Sequence, residues 1–285
     1  TNSSNYSTLL AALQRADGNL VTVLNSGGPF TVFAPDNDTF DTFLSNKGFN
    51  SLNDVPTDVL SQILLNHVVS GIVKSSDLKT GYIETLSIAT PKSSYMNMHV
   101  NTNGGVILNG YSNVVSADNM VDNGIIHLVD EVIGLPTVVT FATADENFST
   151  LVTALKRSDL TFDFVSVLST PDGTSPAPFT VFAPTNDAFS ALLVELDVDS
   201  LNDIDEPTLK ATLDYHAVAS ANVLSTDITN GMTVTTLGGN ITANTTSGVT
   251  LTDANGRVSN VVAANVQASN GVIHAIDKVI LPPLD

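Results

Sequence analysis

The chain has 285 residues, with 10 Lys and Arg against 29 Asp and Glu, a formal net charge of −19 and a pI near 4.2. This negative field repels phosphate groups, which disfavours a nucleic-acid partner and docking on an anionic membrane surface. The lack of cysteine excludes disulfides, thiolate nucleophiles and cysteine-ligated metals, whereas 42% apolar and only 14% charged residues are typical of a globular protein.

The first part of the chain predicts helices around one short strand. Apolar residues recur at helical spacing over residues 6–13, and helical spacing resumes at Phe40. Between these segments, Phe30–Ala34 is typical of a short strand that a proline ends. Pro56 suits the first turn of a further helix, which we expect to run toward His67.

After His67 the pattern changes to short runs of Val, Ile and Thr. These runs are broken by hairpin signals at Asn103-Gly104, Ser247-Gly248 and Asn255-Gly256. Helices followed by strands favour an α+β fold with a largely antiparallel sheet over a βαβ alternation.

The second half of the chain repeats the first, which predicts two tandem domains over residues 1–138 and 139–285. Each unit is large enough to bury its own core, and a solenoid repeat would be much shorter. The repeated blocks are FTVFAPDNDTF (30–40) with FTVFAPTNDAF (179–189), Asn66-His67 with Tyr215-His216, and NGIIHLVD (123–130) with NGVIHAID (270–277).

These three blocks, in this order and present twice, resemble the fasciclin domain. The resemblance covers nearly the whole chain and implies two tandem α+β domains, each a compact β-sandwich or wedge with several packed helices. It also implies an extracellular or cell-surface module for adhesion and matrix interaction, without catalysis or cofactor. Because one fold can serve several functions, this function rests on the resemblance and not on the pattern of the residues.

The resemblance also indicates where a partner would bind. Some animal relatives engage receptors through an Asp-Ile motif just ahead of the last NG block, and the Tyr-His block is implicated in adhesion. We align this motif with Asp118-Asn119-Met120 in the first domain and Ala264-Asn265-Val266 in the second. Asn replaces the Ile in both and the Asp is lost from the second, which disfavours integrin binding. The predicted partner-binding residues are Asp118, Asn119, Met120, Tyr215 and His216.

Motifs for catalysis and metal binding are not found. We interpret four histidines as core residues bonded to the backbone, namely His67, His127, His216 and His274, and place His99 in a polar, loop-like stretch. Residues 36–38 resemble the start of a calcium loop but lack its glycine and distal glutamate, so helix capping by Asn37 and Asp38, and by Asn186 and Asp187, is the simpler interpretation. The acidic stretch 195–206 is expected to be a solvated loop face, with calcium binding as the alternative.

We therefore expect a non-enzymatic adhesion module, outside the cell or on its surface, that binds proteins or polysaccharides. In a bacterium the location would be periplasmic or lipid-anchored. The alternatives are a protein that binds a small lipid or sugar, and an enzyme acting on polysaccharide. Self-association is a further option, and the negative field favours neutral glycans, basic proteins or cation-bridged acidic surfaces as partners. The polar start of the sequence indicates a mature or trimmed chain, and no apolar run approaches the ~20 residues of a membrane span.

Overall fold

The structure is a computed structural model that describes residues 3–90 and 92–283. The chain divides into two compact units, which comprise residues 1–88 with 94–135 and residues 89–93 with 136–285. The predicted boundary at residue 138, as a division between separately folding domains, stays a prediction.

The first unit places its helices ahead of most of its strands. Its helices are α1 (Ser7–Arg15), α2 (Leu20–Ser26), α3 (Asn37–Asn46) and α4 (Thr57–Asn66). Its strands are β1 (Phe30–Pro35), β2 (Val68–Ser70), β3 (Gly81–Ala89), β4 (Ser94–Asn101), β5 (Ile107–Leu108), β6 (Ser112–Val121) and β7 (Gly124–Val129). Short 3₁₀ turns cover Ser3–Tyr6 and Leu52–Asp54.

The second unit follows the same order with one more helix at its start. Its helices are α5 (Val138–Ala144), α6 (Ser149–Leu155), α7 (Phe164–Leu168), α8 (Asn186–Glu195) and α9 (Glu206–Asp214). Its strands are β8 (Phe179–Pro184), β9 (Ala217–Ala219), β10 (Met232–Thr235), β11 (Asn240–Asn244), β12 (Thr250–Thr252), β13 (Val258–Ala268) and β14 (Gly271–Ile276). Its 3₁₀ turns are Glu146–Phe148, Leu201–Asp203 and Ser225–Asp227.

Each unit contains a seven-stranded sheet. The strand orders are β2-β1-β7-β6-β5-β4-β3 and β10-β11-β12-β13-β14-β8-β9. The first and last strands of each unit pair in parallel, β1 with β7 and β8 with β14, whereas the hairpins at the three predicted turns are antiparallel. The predicted α+β class is confirmed.

The repeated FTVFAP segment supplies the central strand and core aromatics of each unit. Phe33 and Phe182 are fully buried, as are Phe40 and Phe189 on the following helices, which confirms their predicted core role. Burying each of these rings contributes roughly 2–3 kcal/mol relative to an exposed position.

A glycine at the start of the last strand permits the parallel pairing. Gly124 lies opposite Phe30, and a Cβ at this position would overlap the Phe30 carbonyl oxygen. Gly271 meets Phe179 in the same way. The prediction that these glycines set turns is wrong about the cause, because close approach of two backbones is what excludes a side chain.

The predicted caps of the helices after the FTVFAP strands are shifted by one residue. Asp36 caps α3 by accepting the N–H of Thr39 at 3.0 Å, and Thr185 caps α8 in the same position. Asn37 instead joins two segments, since its Oδ1 accepts the N–H of Thr8 at 2.9 Å and its Nδ2 donates to Ser4. The corresponding amide of the second unit makes the equivalent bonds.

Candidate interaction site

The predicted residues of the first unit lie at a bulge in β6. The register between β6 and β7 shifts between Ser116 and Asn119, and Asp118 within the bulge has a left-handed backbone with φ of 62°. Its N–H donates to Nδ1 of His127 at 3.2 Å, so that Nε2 of this histidine carries the proton and donates to Val73 O at 2.9 Å. The histidine thus fills the bulge and fixes the backbone of Asp118.

A serine from the loop after β2 fixes the side chain of Asp118. The carboxylate accepts the N–H of Ser75 at 2.9 Å and its hydroxyl at 2.6 Å. These bonds lower the pKa of Asp118, so an exposed, charged carboxylate is held in one orientation.

The two residues after Asp118 differ in exposure. Asn119 is half-buried and donates from Nδ2 to Ile126 O at 3.1 Å, whereas Met120 is 59% exposed. We call residues 118–120 the Asp118 corner. It offers a fixed negative charge beside an apolar side chain.

The second unit has the same corner with an amide in place of the acid. Asn265 has φ of 63°, its N–H points to Nδ1 of His274 at 3.4 Å, and its side chain exchanges hydrogen bonds with Ser225 at 2.8 Å. Asn265 is therefore the counterpart of Asp118. The alignment of Ala264 with Asp118 is wrong by one position, and the second unit carries Asn-Val where the motif has Asp-Ile.

Sequence reasoning missed the serines that hold both corners. Ser75 and Ser225 each begin a Ser-x-Asp triplet, with 150 residues between the two copies. This repeated triplet was the available signal, but it is short and lies in a loop.

Tyr215 and His216 lie inside the second unit. They are 6% and 3% exposed, and a Cβ at Gly238 or Gly239 would overlap the Tyr215 ring, so this ring rests on glycine backbone. In the first unit the position of the tyrosine is held by Asn66, which donates to Gly134 O at 3.0 Å and to Ile133 O. Partner binding by Tyr215 and His216 stays a prediction and would have to act through the segments that they support.

The buried histidines of the Asn-His and Tyr-His blocks tie the helix end to the segment after the last strand. His67 contacts Ile63 O through Nδ1 at 2.8 Å and accepts the N–H of Ile133 at Nε2, also at 2.8 Å. His216 makes the equivalent contacts. Burial lowers the pKa of both to about 4. Their predicted role as core residues bonded to the backbone is confirmed, as it is for His127 and His274.

His99 was predicted in a loop, but it lies in β4 and is 1% exposed. Its ring packs edge-on against Tyr82, with ring centroids 5.1 Å apart. The loop prediction is wrong because polar residues of this stretch alternate with buried ones in a strand.

The acidic residues each have a structural task. Glu195 pairs with Arg257 at 2.6 Å, Asp203 accepts from Ser200, and Asp205 caps α9. Glu206 accepts the N–H of Thr161, and hydrogen bonds of this kind lower the pKa of both Asp205 and Glu206. Within residues 3–90 and 92–283, no three His, Asp or Glu side chains are arranged to hold a metal ion. In the same ranges no helix has the length and apolar character needed to cross a membrane.

Comparisons with known proteins identify the repeated unit. The sequence model of the fasciclin domain matches residues 4–136 and 146–282. Protein sll1483 of Synechocystis sp. is 38% identical over 148 residues, which are 52% of this chain and 74% of that protein. Transforming growth factor-beta-induced protein ig-h3 of Sus scrofa is 31% identical over 261 residues, which are 90% of this chain and 35% of that protein. The chain thus spans about a third of the length of ig-h3.

A solved structure shows the same fold. The FAS1 domain pair from the insect cell adhesion molecule fasciclin I aligns with 100% of this chain and 98% of its own, with a TM-score of 0.60 and 19% sequence identity.

Proposed function

This chain belongs to the fasciclin-domain family, and on that premise we propose that it is a non-catalytic adhesion module that binds a protein or polysaccharide outside the cell. The observation that carries this proposal is the Asp118 corner, an exposed carboxylate held rigidly beside an exposed methionine. A group that is already fixed loses little conformational freedom on binding, which favours affinity.

The charge of the corner selects among partners. A net charge of −19 and a fixed carboxylate attract basic proteins, and calcium would be needed to bridge this surface to an acidic polysaccharide. We expect binding to a basic protein to weaken as salt rises, because exposed charges are screened. Binding to a neutral glycan should be insensitive to salt.

An array of matrix proteins and polysaccharides tests this function. The full chain is applied over a salt series, with calcium and with a chelator. Saturable binding to one class supports the proposal, and loss of binding with chelator identifies a cation bridge. Silence across the array would count against adhesion and in favour of the small-ligand alternative, which native mass spectrometry of the purified chain would then examine.

The second unit supplies a matched variant for the corner itself. Asp118→Asn removes the charge but retains the ability to bond with Ser75, because Asn265 makes both bonds to Ser225. We expect an unchanged melting temperature and binding at least ten-fold weaker on the array. Equal binding by the variant and the wild type would show that the corner is not the contact. The reciprocal Asn265→Asp variant controls for added charge.

A further inference from the structure

Helix α5 covers one face of the second unit. Four of its residues are buried, namely Val138, Phe141, Ala142 and Ala144. The helix packs on β8, β13 and β14 and on α6 and α7, and a narrow apolar seam separates it from the side chains of Leu151, Val152, Leu155, Val165, Leu168 and Val181.

Polar bonds fix where α5 begins. The hydroxyl and the N–H of Ser269 both donate to Pro136 O at 2.7 Å, and Asn270 Oδ1 accepts the N–H of Val138 at 2.9 Å. Thr137 caps the helix by accepting the N–H of Thr140. The turn between β13 and β14 is thus built to receive the start of a helix.

The first unit presents the same face without a helix on it. Among residues 3–90 and 92–135 no segment occupies the place that α5 takes in the second unit, since the described part begins with the counterpart of the 3₁₀ turn that follows α5. Its turn residue Asn123 is exposed, although Nδ2 still donates to Leu24 O at 2.6 Å as Asn270 does to Leu168 O.

Apolar side chains on this face are exposed where their counterparts are covered. Met120 and Val121 are 59% and 44% exposed, whereas Gln267 and Ala268 are 1% and 0% exposed. The further residues of the face follow the same trend: Leu10 is 50% exposed, Val23 is 40% exposed, and Phe30, Val32 and Ile126 are half-buried although Phe179, Val181 and Ile273 are buried. We call this surface the open face.

We propose that the open face of the first unit is a docking site for a short helix of a partner polypeptide, with the apolar pattern of α5. The duplicated unit shows what covers such a face, so the occupant follows from the molecule itself. Asp122 replaces Ser269 at the turn, which places a carboxylate beside the positive end of an incoming helix. A second copy of the folded chain cannot supply α5, because that helix is buried in its own unit.

A synthetic peptide with the sequence of residues 135–146, labelled at its C-terminus, tests the proposal by fluorescence anisotropy against the full chain. We expect saturable binding, and protection of residues 28–34 and 120–126 from hydrogen exchange in the complex. A peptide with Phe141→Asp should bind at least ten-fold more weakly, because burying a charge in an apolar contact is costly.

Variants of the chain locate the site. Leu10→Asp should weaken peptide binding at least ten-fold, whereas Val194→Asp, at an 82% exposed position on α8, should leave it unchanged. Asp118→Asn should also leave it unchanged, so failure of the proposed adhesion site and failure of this site are distinguishable. Binding that Leu10→Asp does not weaken would overturn the proposal. So would a dimer in sedimentation equilibrium that Leu10→Asp dissociates while the peptide does not bind.

Discussion

His67 and His216 make the stability of the protein depend on pH. In the unfolded chain a histidine binds its proton near pH 6.5, but in the folded units these two do so only near pH 4, because burial disfavours the charged ring. Between these values the unfolded state binds more protons, so the free energy of unfolding falls as the pH is lowered from 6.5 to 4. The loss is on the order of 3 kcal/mol per histidine and is absent above pH 6.5.

Urea unfolding followed by circular dichroism at pH 7.5, 6 and 5 measures this loss. His67→Gln, which removes one titrating ring, is the matched comparison and should show a flatter pH dependence of the first unit despite lower stability at pH 7.5. An identical slope in both proteins would show that other groups cause the loss.

Gly124 provides a second prediction about a single residue. Gly124→Ala places a methyl group against the Phe30 carbonyl, and we expect it to lower the free energy of unfolding by about 3 kcal/mol or more. Gly134→Ala is the control, because its Cβ would meet only ordinary contacts at 3.9 Å. Thermal unfolding of both variants compares them, and equal melting temperatures would contradict the close approach of β1 and β7.

The sequence alone predicts which residues are buried better than it predicts register at an irregular position. Phe33, His67 and their repeats lie in recurring apolar patterns that identify the core. The Asp118 corner depends on a bulge that adds residues to one strand, and counting back from the NG block without this bulge misplaced its counterpart at Ala264. Burial of Tyr215 depends on the distant Gly238, a contact that no local pattern records.

At the scale of the helix, Asp36 rather than Asn37 or Asp38 stabilises the start of α3. Asp36→Ala should lower the free energy of unfolding by about 1 kcal/mol, because the N–H of Thr39 loses its acceptor. Asp38→Ala removes the same charge from the first turn without removing the cap, and should cost only a few tenths of a kcal/mol. Chemical denaturation measures both, and equal losses would show that charge alone matters.

The existence of the helices and strands could be predicted because each has a clear apolar period, but their ends could not. Asp36, Asn37 and Asp38 are all good capping residues, and only the backbone conformation shows which of them precedes the first helical residue. The open face was also missed, because it depends on a comparison of buried areas between the two units.

For the whole molecule, the internal repeat was the decisive signal. Two copies of three blocks predicted two similar α+β units, and the parallel pairing of the first and last strands in each follows from the contact of the FTVFAP segment with the NG block. Pattern analysis could not predict this pairing, because sequence separation of 94 residues between Phe30 and Gly124 leaves no local trace.

The position of the boundary between the units leads to the last prediction. Residues 136–138 hold the start of α5 through Ser269, Asn270 and the Thr137 cap. A fragment of residues 136–285 should therefore fold and be more stable than residues 139–285, by on the order of 2 kcal/mol. Circular dichroism melts of both fragments measure the difference. Equal melting temperatures would show that these bonds contribute little and that a boundary at residue 138 serves equally well.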